Sequence, residues 1–412
     1  MARPVVIRAA ALFDGEDMRE RPATEILVID GRIAELGDTV PRPDDVEVID
    51  LTGYTVSPGF IDAHVHSGLT LDRMLSTFYT ESSVLKALHS LPGLAGMLNT
   101  GFTTVRDLGG LDTEYATVGL KKGIELGLIT GPRMIVAPHI MSGTSGHGEP
   151  PQLDSEFRIR VRGVVDGPDA IRGRVREEIL NGADWIKVAL TGFFGDRPGE
   201  GHGHMSWTLA ELEACVEAAR DLDVDVAVHA ISDESVKRAI QAGVRSIEHG
   251  SLMSQETLDL AEETGTYLVP TMRIIRDMFS GAVVSVNEVQ DGNEAGLPTD
   301  GIFALKDDLL ESQALIAQSN AKVVYGSDAS GKSPLDLWGE FTAMVEYGVD
   351  PLRALRSATT LAAEMLRRPD LGALRVGALA DVIALDGDPL TDIDATHRVT
   401  FVMKEGVVHK RV

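Results

Sequence analysis

Hydrophobic positions change their spacing twice along the chain. In the first 57 residues they fall in short runs at 5–9, 26–29 and 46–51, broken by turn signals at Asp30-Gly31 and between Pro41 and Pro43. This pattern predicts antiparallel strands. It returns near the end at 381–385, 399–403 and 407–409, joined by turns at Asp386–Pro389 and Glu405-Gly406. Both ends of the chain are therefore expected to build one small β-sandwich domain from residues 1–57 and 367–412.

Between the ends, short apolar runs alternate with stretches of helical period, the signature of parallel βα units. Eight runs are recognisable, at 60–66, 103–108, 133–137, 185–190, 225–230, 246–251, 267–271 and 323–328. Eight such units predict an α/β fold, a closed (β/α)8 TIM barrel spanning 58–366. In such barrels the active site is built from the carboxyl ends of the strands. Two stretches, 141–168 and 280–299, are too long for plain connectors and are expected to close over a pocket.

Composition narrows the function classes. The chain has 412 residues, 43% hydrophobic, with 38 Lys and Arg against 63 Asp and Glu, a formal charge of −25. Such a surface repels phosphate backbones and anionic bilayers, so neither nucleic acid nor membrane is an expected partner. A small-molecule substrate and a homo-oligomer are. No segment has transmembrane length, and the apolar amino-terminal run meets Asp14, Glu16 and Asp17 too soon for a secretory signal. The single cysteine, Cys215, allows no internal disulfide and sits in a helical apolar pattern, which fits a buried thiol in a reducing cytoplasm.

Candidate chemistry lies at the ends of the barrel strands. The run Pro58-Gly-Phe-Ile-Asp-Ala-His64-Val-His66 puts two imidazoles on the same side of a strand, where both can bind one ion. Later strands end in Lys187, His229, His249 and Asp328. Each interrupts an otherwise apolar strand, where an unpaired charge costs several kcal/mol or more. A shared metal cluster is the economical partner for all six.

These residues, with the closing segment Gly377-Ala-Leu-Ala-Asp-Val-Ile-Ala-Leu-Asp386, give a chain that resembles the amidohydrolase superfamily over essentially its whole length. The resemblance implies two divalent metal ions, zinc in expectation, with His64 and His66 on the more buried one and His229 and His249 on the second. It implies that Lys187 is carbamylated and bridges the pair, and that Asp328 is both ligand and general base, then acid. A metal-activated water would attack a carbonyl and the amine would leave, making the enzyme a hydrolase of carbon–nitrogen bonds.

Within the superfamily, the segments Gly101–Gly109, Ala137-Pro-His-Ile, Gly146-His-Gly-Glu149 and Ala183–Lys187 look like the prolidase-like dipeptidases and related toxin amidases. That resemblance makes His139 or His147 the candidate for holding the substrate carbonyl or carboxylate. A dipeptide or N-acyl amino acid is the expected substrate. The alternatives are a xenobiotic amide, carbamate or phenylurea, and a non-catalytic binding barrel. Phe193 and Phe194 follow the lysine where the group has a double glycine, which favours an apolar acyl group. Arg273 is a candidate for bidentate capture of a carboxylate, or else a salt-bridged barrel residue. His202 and His204 read as part of a substrate loop, and Arg106 with Asp107 as a supporting ion pair.

Overall fold

The computed structural model describes residues 3–68, 81–110, 112–144, 146, 163–192, 204–280, 304–330 and 337–411, the side chains of 20–23 and 280 excepted. The expected contacts His147, Phe193 and Phe194, together with His202 and most of 141–168 and 280–299, lie outside the described residues.

The amino-terminal strands are β1 (Val5–Phe13), β2 (Met18–Ile29), β3 (Arg32–Gly37), β4 (Glu47–Asp50) and β5 (Thr55–Pro58). The barrel strands follow: β6 (Phe60–His66), β7 (Phe102–Asp107), β8 (Arg133–Val136), β9 (Ile140–Met141), β10 (Trp185–Ala189), β11 (Asp225–Ser232), β12 (Ser246–Leu252), β13 (Tyr267–Val269), β14 (Lys322–Val323) and β15 (Ala329–Ser330). The chain closes with β16 (Val382–Leu385), β17 (Val399–Lys404) and β18 (Val407–Lys410).

The two chain ends meet in one eight-stranded sheet of order β18-β17-β16-β5-β1-β2-β3, with β4 also paired to β1. β1 is the fork: its first half runs parallel to β4 and its second half to β5. Alternate apolar residues from both ends, among them Ile7, Leu12, Ile26, Val56, Val382 and Phe401, fill a separate core. Arg133 at the start of β8 donates to Asp381 at 2.7 Å and contacts Glu405, which ties this sheet to the barrel.

All barrel strands run parallel, in two ladders of order β15-β6-β7-β8 and β14-β13-β12-β11-β10-β9. Single backbone bonds close the ring: Asp184 N–H donates to Val136 O at 2.8 Å and Ala63 N–H to Tyr325 O at 3.0 Å. The interior near the strand starts is an apolar plug of Ile61, Ala63, Ile135, Trp185, Ala227, Tyr267 and Val324, packed against Ala362 and Met365.

Helices cover the outside. They are α1 (Ser83–Asn99), α2 (Ala116–Glu125), α3 (Pro168–Leu180), α4 (Leu209–Arg220), α5 (Asp233–Gln241), α6 (Gln255–Thr264), α7 (Met272–Ser280), α8 (Lys306–Gln318), α9 (Gly339–Glu346), α10 (Pro351–Ser357) and α11 (Thr360–Met365). α4 shows how local sequence sets a boundary. Thr208 and Glu211 form a reciprocal capping box at its start, and its inward face buries Cys215, whose thiol is pushed up to about 12 by burial. No helix among the described residues is long and apolar enough to cross a membrane.

The eighth strand departs from expectation. Only Lys322–Val323 form a regular ladder, and 324–328 reach their neighbours through isolated bonds such as Asp328 N–H to His64 O at 2.8 Å. Close approach is the reason. A Cβ on Gly326 would stand 2.3 Å from Val269 Cγ1 and 2.8 Å from His64 Cβ, so only glycine lets the segment pass there.

Candidate metal centre

The two histidines of β6 do converge, with His64 Nε2 and His66 Nε2 3.3 Å apart. Asp328, from the loop after β14, places Oδ1 3.4 Å from the first and 3.3 Å from the second. His66 Nδ1 donates to Gly109 O at 2.6 Å, which turns its Nε2 toward His64 and Asp328. Three acceptors so close require a cation between them or a proton. Ligand atoms at tetrahedral angles and roughly 2.0–2.1 Å from one ion stand roughly 3.3–3.4 Å apart, so the triangle has the size that a first-row ion needs.

His249 and His229 extend the cluster. The His249 ring lies 5.0 Å from that of His64 and 4.6 Å from that of His229, centroid to centroid. Ligand atoms of His64, His249 and Asp328 all fall within 4.8 Å of one another. Lys187, on β10, is 2% exposed, and its Nζ has no hydrogen-bond partner among the described residues. Its charge acts on His64, His66, His249 and Asp328 alike, which places it among them.

Electrostatics follow from burial. Desolvation, with Lys187 second at His64 and His64 second at His249, holds both imidazoles well below the usual range, hence neutral and able to ligate. At His66 the opposing effect of burial is outweighed by Asp328, which raises it. Burial would raise Asp328, yet His64, His66 and Lys187 overcome it and hold the carboxyl well below the usual range. Desolvation lowers Lys187 to about 8.

Supporting groups were less visible in the sequence. Glu248 precedes His249 on β12, and its Oε2 lies 2.8 Å from His64 Nδ1, at ion-pair distance but out of line for a hydrogen bond. Strand alternation would send these neighbours to opposite faces. His249 escapes that rule because its φ is +71°, so both serve the site. Glu248 Oε1 accepts from Arg106 at 2.8 Å and from Ser246 at 2.6 Å. The expected Arg106–Asp107 pair is thus corrected. As neighbours on a strand the two part company: Arg106 crosses the barrel to Glu248 while Asp107 accepts from Ser67 N–H at 3.0 Å and Gly109 N–H at 2.9 Å.

Asp62 pins the Asp328 loop. Its Oδ1 accepts from the amides of His64 and Ser327, both at 3.1 Å, and its Oδ2 from Ser327 Oγ at 2.6 Å. Burial raises it to about 7. Thr271, just after β13, stands 2.8 Å from His249 Nδ1 through its Oγ1. Only a polar residue at the end of a strand, or a pair of acid and base in alternate strands, could have hinted at these roles.

The expected substrate contacts that are described sit in protein networks. His139 is 2% exposed, donates Nδ1–H to Glu178 at 2.9 Å and packs edge-on against Tyr115 at 4.9 Å. Arg273, in the first turn of α7, has a side chain 16% exposed that reaches Ser327 O at 3.5 Å and Asp277 at 3.9 Å. His204 precedes Met205, which pairs with Thr191 two residues beyond the end of β10.

Known proteins share this arrangement of strands. The amidohydrolase family matches residues 55–408. Ochratoxinase from Aspergillus niger is 28% identical over 444 aligned positions, covering 99% of this chain and 87% of that protein, and its crystal structure superposes with a TM-score of 0.85 at 25% identity, covering 99% and 96%. A Xaa-Pro dipeptidase crystallised with methionine in its active site gives a TM-score of 0.87 at 31% identity, covering 99% of this chain and all of that one. With the family matched across the whole barrel and the later strands of the terminal sheet, the chain belongs to the amidohydrolase family, hydrolases of carbon–nitrogen bonds.

Proposed function

We propose that this enzyme cleaves the amide bond of a dipeptide or N-acyl amino acid at a binuclear metal centre held by His64, His66, Lys187, His229, His249 and Asp328. The observation that carries the reading is Lys187 Nζ, buried without a hydrogen-bond partner among the described residues, in the field of the His64, His66 and His249 imidazoles and the Glu248 and Asp328 carboxylates. An ammonium there is costly. Burial lowers Lys187 to about 8, so part of it is the neutral amine. Attack of that nitrogen on carbon dioxide, with loss of its proton, gives a carbamate anion whose two oxygens suit two cations.

Divalent ions, zinc in our reading, supply Lewis acidity toward the carbonyl and make water a nucleophile at neutral pH. The protein does the rest. Asp328 takes the proton of the attacking water at its carboxylate and returns it to the departing nitrogen. Substrate contacts are proposed at His139, His147, Phe193, Phe194 and Arg273. The similarity to ochratoxinase across 99% of the chain supports a second reading, an ochratoxin-like aromatic amide.

Elemental analysis of the purified protein, together with hydrolysis of Xaa-Pro and other dipeptides, N-acyl amino acids and ochratoxin by wild type and Lys187→Ala, tests this. Two metals per chain and turnover lost in the variant are expected. Full activity with one metal or none would refute the bridged centre, and neither metal nor turnover would restore the binding-barrel reading.

A further inference from the structure

Three buried or half-buried site residues adopt left-handed backbone: His249 at φ +71°, Asp328 at +53° and Thr271 at +50°. The first two are proposed ligands. Thr271 is not, and threonine is β-branched, a residue type for which this region is a true outlier. Glycine or asparagine would sit there at less cost, so the hydroxyl itself is the reason to look for a role.

That hydroxyl has two partners. Thr271 Oγ1 donates its one hydrogen to Pro270 O at 2.7 Å and lies 2.8 Å from His249 Nδ1. With the hydrogen spent, Oγ1 can only accept from the imidazole. His249 is then the neutral tautomer protonated at Nδ1, its Nε2 lone pair left for a ligand bond. The strained residue is clamped from behind: Glu340 on α9, wholly buried, accepts from Met272 N–H at 2.8 Å and Arg273 N–H at 2.7 Å, the two amides that immediately follow Thr271.

We propose that Thr271 is a positioning residue that sets the tautomer of His249, and that Glu340 holds it in place. The affinity of the second metal position thus runs through two residues that touch neither metal nor substrate. The inference rests on the binuclear reading above.

The test uses Thr271→Val, which keeps shape and β-branching, with Thr271→Ser as the rescue. Zinc titration of the chelator-stripped full chain should show the second equivalent binding about 10- to 100-fold more weakly in Thr271→Val. The first equivalent should be unchanged and Thr271→Ser close to wild type. In parallel, the 15N chemical shifts of His249 in the metal-free wild type should report protonation at Nδ1. Equal binding of both equivalents by Thr271→Val, or an Nε2-protonated His249 in wild type, would overturn the proposal. The nitrogen shifts read the wild-type tautomer whether or not the variant folds or the protein takes two metals, so a failed binuclear reading and a failed tautomer assignment give different results.

Discussion

The two ends of the barrel are built on opposite principles. Where the strands begin, Ile61, Trp185, Tyr267 and Val324 fill the interior with buried apolar side chains in ordinary backbone. Where they end, within a few residues along the same strands, the interior holds His64, Lys187, Glu248 and Asp328, with left-handed backbone at His249, Thr271 and Asp328. One end gains free energy by excluding water. The other spends it on charges and strain, the usual division between stability and activity in this architecture.

That contrast can be broken at its sharpest point. Lys187→Ala removes a buried charge and is expected to lower turnover below detection and the bound metal below two per chain, while the thermal midpoint stays equal or rises. A fall in the thermal midpoint as well would mean that the lysine supports the fold.

Glu248→Ala should be the most destabilising change at the site end. It leaves Arg106, which also donates to Ala63 O at 2.6 Å, as an uncompensated buried charge, at about 3–5 kcal/mol in chemical denaturation. Metal affinity should fall as well, because Glu248 faces His64. A loss below about 1 kcal/mol would mean that Ser246 and the backbone already satisfy Arg106.

At the opposite end, Ile61→Val removes one buried methyl group from the plug and should cost about 0.5–1.5 kcal/mol. Turnover per bound metal should not change. If it does, the plug and the site are coupled more tightly than the contrast allows.

The smallest expected effect concerns pH. Burial raises the Glu340 carboxyl to about 8, against the lowering influence of the Met272 and Arg273 amides and the Arg273 charge. The folded chain therefore keeps a proton that the unfolded chain loses above about 4.5. Its contribution is full below that pH and is lost as pH rises toward 8. The stability difference between wild type and Glu340→Gln should shrink across this window. A difference that stays constant from about pH 4.5 to 8 would show Glu340 ionised in the folded state beside Arg273.

Much of this was legible in the chain. His64 and His66 announce themselves because a two-residue strand period delivers both rings to one place, and Lys187, His229, His249 and Asp328 because each ends an apolar run. Glu248 and Thr271 were silent for a different reason. Their partners Arg106 and His249 lie 142 and 22 residues away, and a left-handed φ at histidine or threonine leaves no mark in the letters as a glycine would. Arg106 and Asp107 were misjudged by adjacency, since neighbours on a strand face opposite ways.

The sequence by itself determined the order of the strands, the pairing of both chain ends in one sheet and the identity of the six polar strand ends, because these follow from local period and residue chemistry. The closed ring decided the rest. Only when the strands curve into a barrel does Asp328 come within 3.4 Å of His64 and His66, Arg106 find Glu248 across the interior, and Thr271 meet His249, since each of these contacts joins separate segments that are brought together by packing alone.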